Sequence, residues 1–431
     1  MLNTAGLSID QAPPISVPFR FFLTAPFYLL CAGILFLLSP DALASRWSPS
    51  LLAIVHLVAL GFMTQIMLGS LFQLLPVLTG TSIGSSRGFS TAIWVLLNVG
   101  TPMIATGLFL QQFFILALGA ALAGGTLILF ALITLRALIG QQPKSSTVLG
   151  IILALVSLVC VVLYGGYLAM LLNSWLQSTQ FISHVDRHAV FALAGWLGLL
   201  VVSISYQLQP MFFVTQEYPV RFKKIAVPLA FVLLITALVF SLLTSTTAPI
   251  LIPLSLLGAV YALISFSLLW RRRRKRLDPV VLHWYLIDIA IFLASVSYLL
   301  DVNASIIGVL LLFGVGVVMP SGALLKIIPF LSWMHLQERQ IASGNFSVRV
   351  PNMNGFVGDW PQRIQISLLT LLAIALVVGL QGHYQLVYLV GVLAVACGIN
   401  QFYIYVAAIR GYHKVQKDLQ LPAPDTNPNI S

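Results

Sequence analysis

His184 and His188 stand four residues apart in the stretch SHVDRH, and His56 opens a long apolar run, HLVALGFMTQIMLGSLFQLLPVLTG, over 56–80. Two imidazoles at i and i+4 share one face of a helix. That spacing suits two nitrogen ligands on one metal ion. Neutral imidazole binds copper, zinc or haem iron. His56 enters from another segment at a similar depth, so it is a candidate for the same site. The competing reading is three interfacial histidines, bonded to backbone or water. His383 is a weaker candidate at the same end, and His283, His335 and His413 read as bland interfacial residues at the other.

Asp288 is the second chemical signal. It is the one carboxylate well inside an apolar segment, and acids inside a membrane are costly and usually paired or functional. Lys326 enters a later segment from the same side. An Asp288–Lys326 pair is therefore expected, each charge offsetting part of the other's desolvation. A proton path or polar substrate site is the functional alternative. Tyr164 and Tyr167, in YGGY, mark close helix contact, and nothing beyond residue type supports a redox role.

The elements that must position these residues are membrane helices. The chain has 431 residues, 59% hydrophobic and 8% charged, where a soluble domain carries roughly 25% charged residues. Twelve apolar segments are expected, near 19–39, 51–79, 91–110, 113–138, 147–173, 187–214, 225–244, 248–270, 280–300, 304–333, 362–381 and 384–409. Most reach the roughly 20 residues that a span needs. With both termini cytoplasmic, 20 of the 22 Lys and Arg fall on one side, leaving Arg46 and Arg187 opposite. The net charge of +11 is thereby assigned to topology, and the run RRRRKR at 271–276 to an anchor beside anionic headgroups rather than nucleic acid. The polar first eighteen residues carry no signal-peptide pattern. Cys31, Cys160 and Cys397 each fall in a span without CxxC spacing, which points away from disulfides and thiolate metal sites. Walker, GxGxxG and HExxH motifs are absent, so nucleotide hydrolysis, dinucleotide chemistry and metal-dependent proteolysis lack support.

Segments 2, 6 and 10 share a pattern. Gly61, Gly195 and Gly314 each precede Pro76, Pro210 and Pro329 by fifteen residues. A small residue, Gly69, Ser203 or Gly322, stands seven before the proline, and a long polar one, Gln73, Gln207 or Lys326, three before it. Small residues allow close helix approach in lipid. Proline frees a backbone carbonyl, which the long polar residue is expected to help satisfy. The pattern predicts three four-helix units in one transmembrane domain, near 1–140, 141–270 and 271–431, with segments 2, 6 and 10 lining the inside. His56 is not part of it: the matching positions are Val190 and Val309.

Twelve spans in three groups of four resemble the catalytic subunit of haem–copper oxidases, and more closely the NnrS family. The NnrS-like pattern H-x4-G-F-x6-G-x6-P-x2-T-G is matched by His56, Gly61, Phe62, Gly69, Pro76, Thr79 and Gly80. PFRFF at 18–22 and His188-Ala189 also look like that family. The chain departs from it at Ile54, where a further histidine is usual, and at QPMFFVTQEYP, where a Gly-His-Thr-Gly type segment is usual. Segments 7 and 10 lack the histidines of an oxidase. The resemblance implies a bacterial inner-membrane protein that holds haem b or copper, with His56 and His188 as ligands. It also implies a role in nitric-oxide stress or respiratory metal and haem handling, alongside respiratory-chain or metal-handling partners, without oxygen reduction. Met63 and Met67 are further candidate haem ligands. A secondary transporter and a cofactor-free assembly partner of a respiratory complex are the alternatives.

Overall fold

Apolar runs of this length close all their backbone hydrogen bonds internally only as helices, and helices account for every long element. The computed structural model describes residues 13–79, 83, 87–140, 145–244, 248–273 and 278–420. Gly80 of the NnrS-like pattern, Lys144 and residues 274–276 of the basic run lie outside these. Twelve helices are long and apolar enough to cross a membrane: α1 Ser16–Leu38, α2 Pro49–Val77, α3 Arg87–Phe109, α4 Phe113–Ile139, α5 Ser146–Leu172, α6 Phe181–Phe213, α7 Val220–Thr244, α8 Ile250–Trp270, α9 Pro279–Leu299, α10 Ala304–Ser343, α11 Asp359–Gly379 and α12 Tyr384–Gln420. The chain is a multi-pass membrane protein.

Local sequence starts these helices in recognisable ways. Ser145 and Asn303 accept hydrogen bonds from the backbone N–H groups of Val148 and Ser305, capping α5 and α10. Asp278 caps α9 at Val280, with Pro279 in the first turn, where a missing N–H costs nothing.

α2 and α10 have 67% of their apolar stretch buried and α6 has 61%, against 50% or less in the other nine. These three helices form the interior. Each also contains a wide, π-helical segment: Leu57–Thr64 in α2, Phe191–Leu199 in α6 and Leu312–Val317 in α10. The three wide segments meet at Gly316, where a Cβ would stand 2.9 Å from the Met63 sulfur of α2 and 3.2 Å from Leu197 of α6.

The small residues of the repeated pattern receive the preceding helix. A Cβ on Gly61 would lie 2.2 Å from Tyr28 of α1, and one on Gly69 2.8 Å from Phe22. A Cβ on Gly195 would lie 2.7 Å from Ser157 of α5, and Ser203 packs on Gly150 of the same helix. A Cβ on Gly314 or Gly322 would lie 2.7 Å from Ala290 or His283 of α9. Close packing replaces the hydrophobic drive that lipid removes. The expected role of the long polar residues is not seen: among the described residues neither Gln73 nor Gln207 bonds a freed carbonyl. Both instead line a cavity of about 100 Å³ between α2, α6 and α10, with Met67, Met211, Met319 and Met334.

Candidate functional site

α2 and α6 each deliver one histidine to the same end of the bundle. His56 is the last residue before the wide segment of α2, and His188 stands three residues before that of α6. Their ring centroids are 6.3 Å apart and their planes 18° from parallel. Both are half-buried. The His56 Nδ1 lies 2.8 Å from the Leu52 carbonyl, and the His188 Nδ1 3.0 Å from the Val161 carbonyl of α5. Gly165 makes the second contact available, because a Cβ there would press to 3.2 Å on the His188 ring.

These bonds fix the chemistry. A carbonyl oxygen only accepts, so each Nδ1 carries the proton and donates it. In neutral imidazole the other nitrogen then presents a lone pair. Neither Nε2 has a protein partner among the described residues. Metal-bound histidines characteristically donate their second ring nitrogen to a backbone carbonyl or carboxylate in this way. A separation of 6.3 Å between centroids is short enough for one ion with bonds of about 2.0–2.1 Å to reach both rings. Among the described residues, no group of three His, Cys, Asp or Glu could hold a metal. The donors the structure brings together here are two imidazoles. They fit an ion content with two protein ligands, such as copper(I) or a haem iron, and fall short of the four that a structural zinc takes.

His184 is not brought to the pair. Its Nδ1 accepts from the Arg187 guanidinium at 3.0 Å and its Nε2 pairs with the Ser178 hydroxyl at 3.1 Å. Tyr167 packs edge-on against its ring at 4.9 Å. The reason is Arg187, which is 1% exposed and must satisfy its donors. It also donates to the Ser241 hydroxyl at 2.8 Å and carbonyl at 2.6 Å, tying α6 to α7. Nearby, Asp186 accepts from Arg46 at 3.1 Å, which joins the start of α6 to the α1–α2 connection. His383 lies exposed in the turn between α11 and α12.

The expected Asp288–Lys326 pair is corrected by the structure. The Lys326 ammonium stands 2.5 Å from Asp278, the cap of α9, and not at Asp288. Asp278 and Asp288 are ten residues apart, about 15 Å along a helix, so one lysine reaches only one of them. A long cationic stem turns toward the helix end, where its head is less desolvated. Asp288 instead accepts from the Ser265 hydroxyl of α8 at 2.9 Å. The sequence reading missed this connection, and missed Gln209, Tyr218 and Tyr261 beside it, since no spacing along the chain links α6, α8 and α9. Among known proteins, no family model and no curated protein matches the chain.

Proposed function

We propose that His56 and His188 hold a single copper or haem-iron centre at the end of the bundle that carries Arg46 and Arg187. One observation carries this reading: two half-buried imidazoles stand 6.3 Å apart, each with Nδ1 tied to a carbonyl and with Nε2 lacking a protein partner among the described residues. A centre bound there would supply a redox-active ion for a small ligand such as nitric oxide. The chain's own residues do the rest. The carbonyls of Leu52 and Val161 fix the tautomers, Gly165 leaves room for the His188 ring, and the Arg46–Asp186 pair ties the start of α6 to the α1–α2 connection.

The reading extends to a haem–copper-oxidase-like and NnrS-like architecture in a bacterial inner membrane. Three four-helix units with both termini cytoplasmic would place the histidines outside. The wide segments of α2, α6 and α10 and the packing of α1, α5 and α9 on them support three units. Two histidines are too few for an oxidase's paired haem and copper ligands. Copper or haem handling linked to respiration or nitric-oxide stress therefore fits better than oxygen reduction. A secondary transporter is the second reading, favoured by the cavity between α2, α6 and α10 with Gln73 and Gln207 in its wall.

The test is an oxidised-minus-reduced absorption spectrum of purified protein with metal analysis of the same sample. A haem band or stoichiometric copper, lost in both His56→Ala and His188→Ala, is the expected result. Protein from cells supplied with both copper and haem that carries neither would overturn the reading.

A further inference from the structure

A second polar site lies deep in the bundle, away from the histidine pair. The Tyr218 hydroxyl, from the α6–α7 connection, donates to the Gln209 carbonyl oxygen of α6 at 2.9 Å. The Gln209 amide donates to the Ser265 hydroxyl of α8 at 2.8 Å, and Ser265 donates to Asp288 of α9 at 2.9 Å. Every hydrogen in this chain points one way, so Asp288 is its terminal acceptor. All four side chains are 2% exposed or less.

The other carboxyl oxygen, Asp288 Oδ1, is buried without a partner among the described residues, as are the hydroxyls of Tyr261 and Tyr206. These groups flank the same chain. Tyr261 shares a face of α8 with Ser265, four residues on, and stacks on Tyr218 with centroids 6.2 Å apart. Tyr206 shares a face of α6 with Gln209 and meets Tyr218 edge-on at 5.0 Å.

Charge decides what the site holds. An ionised carboxylate buried without a counter-ion is prohibitively costly. No cation reaches Asp288 among the described residues. Lys326 of α10 is taken by Asp278, and Arg272 bonds the Leu269 carbonyl and Tyr285. His283 of α9 donates to the Pro279 carbonyl and packs on Gly322 of α10. Asp359 and Arg363 lie at the first turn of α11. Tyr261 and Tyr218 are the titratable groups beside the carboxyl. A bound metal cation would need several further oxygen ligands, whereas the Ser265 hydrogen already points at the carboxyl.

We propose that Asp288 is a buried proton-binding site, a carboxyl that carries one exchangeable proton on Oδ1 at neutral pH, between α6, α8 and α9. Binding takes one proton from hydronium, leaving water and a neutral acid; release reverses this. The amide of Gln209 does not pass a proton on, so the proton exchanges along the tyrosine flank, past Tyr261 and Tyr218.

The experiment is infrared difference spectroscopy on the purified full-length protein in lipid at neutral pH, comparing wild type with Asp288→Asn and Ser265→Ala. The expected result is a protonated-acid carbonyl band that disappears in D288N, changes frequency in S265A, and shifts on transfer to heavy water. Tyr218→Phe should slow that shift. Should D288N not fold, isotope-labelled aspartate in S265A identifies the band without removing the carboxyl. A carboxylate doublet in place of the acid band would overturn the proposal. So would thermal protection by sodium or potassium that Asp288→Asn abolishes, which would assign the site to a metal cation. A band insensitive to heavy water would also overturn it, since the proton would not exchange.

Discussion

α2 and α6 differ from α10 in one respect that matters for chemistry. All three are central, all three widen into a π-helical segment, and all three place a small residue fifteen positions before a proline. Only α2 and α6 carry a histidine just ahead of the wide segment; in α10 the position matching His56 is Val309. At the opposite end the difference reverses. Gln73 and Gln207 are neutral, whereas Lys326 of α10 is charged and bound to Asp278. The repeated frame is thus separable from the chemistry mounted on it. Packing needs the small residues in all three helices, and the histidines are an addition to two.

The largest expected effect tests the frame. Gly61→Ala drives a Cβ into Tyr28, which has to shift with its helix, and should cost about 3 kcal/mol, near the upper end for overpacking. Gly308 of α10 has open space around its Cβ position. Gly308→Ala should instead stabilise by about 0.5–1 kcal/mol through helix propensity. Thermal unfolding in detergent reads both, and equal losses would mean that α2 and α10 are not packed as described.

The next effect tests the added chemistry. Gly165→Ala presses on the His188 ring and its bond to Val161 while removing neither of the two proposed ligands. It should lower metal or haem retention about 10–100-fold, the usual scale for a group that orients a ligand. Retention equal to wild type would detach Gly165 from the site. Lys326 comes third. A double-mutant cycle of Lys326→Met with Asp278→Asn should give coupling of about 1 kcal/mol, modest because the pair is partly exposed. The same cycle with Asp288→Asn should give none. The smallest effect concerns the helix ends. α10 is followed by Gly344 at φ 66°, but α6 ends on Val214 at φ 55°, a left-handed conformation that a β-branched residue adopts only under strain. Val214→Gly should raise stability by up to about 1 kcal/mol; a lower melting temperature would contradict the strain.

Much of the frame was legible in the sequence, because apolar length and small-residue spacing are written along the chain. All twelve segments, and the interior place of α2, α6 and α10, follow from them. The wide segments were not legible, since the same apolar residues serve an α-helical or a π-helical turn equally well. His56 and His188 could be named as candidates, but their mutual approach depends on how α2, α5 and α6 pack. By the charge pattern Arg187 is an outer charge. In the structure it is buried, because Ser241 of α7 supplies acceptors that no local pattern announces. Lys326 found its partner by where along α9 its stem could reach, which sequence distance alone does not encode.

The wide segments also set direction. Each residue of an α-helix turns the chain by about 100°. A wide turn holds one residue more than the α-helical turn it replaces, so Leu57–Thr64 absorbs that residue without the swing of about 100° that an extra residue in a plain α-helix would give everything before it. Gln73 and Pro76 keep their place on one side of it, and His56 keeps its place beside His188 on the other. In this sense the wide turn of α2 acts as an aiming device: it orients a side chain that it does not touch.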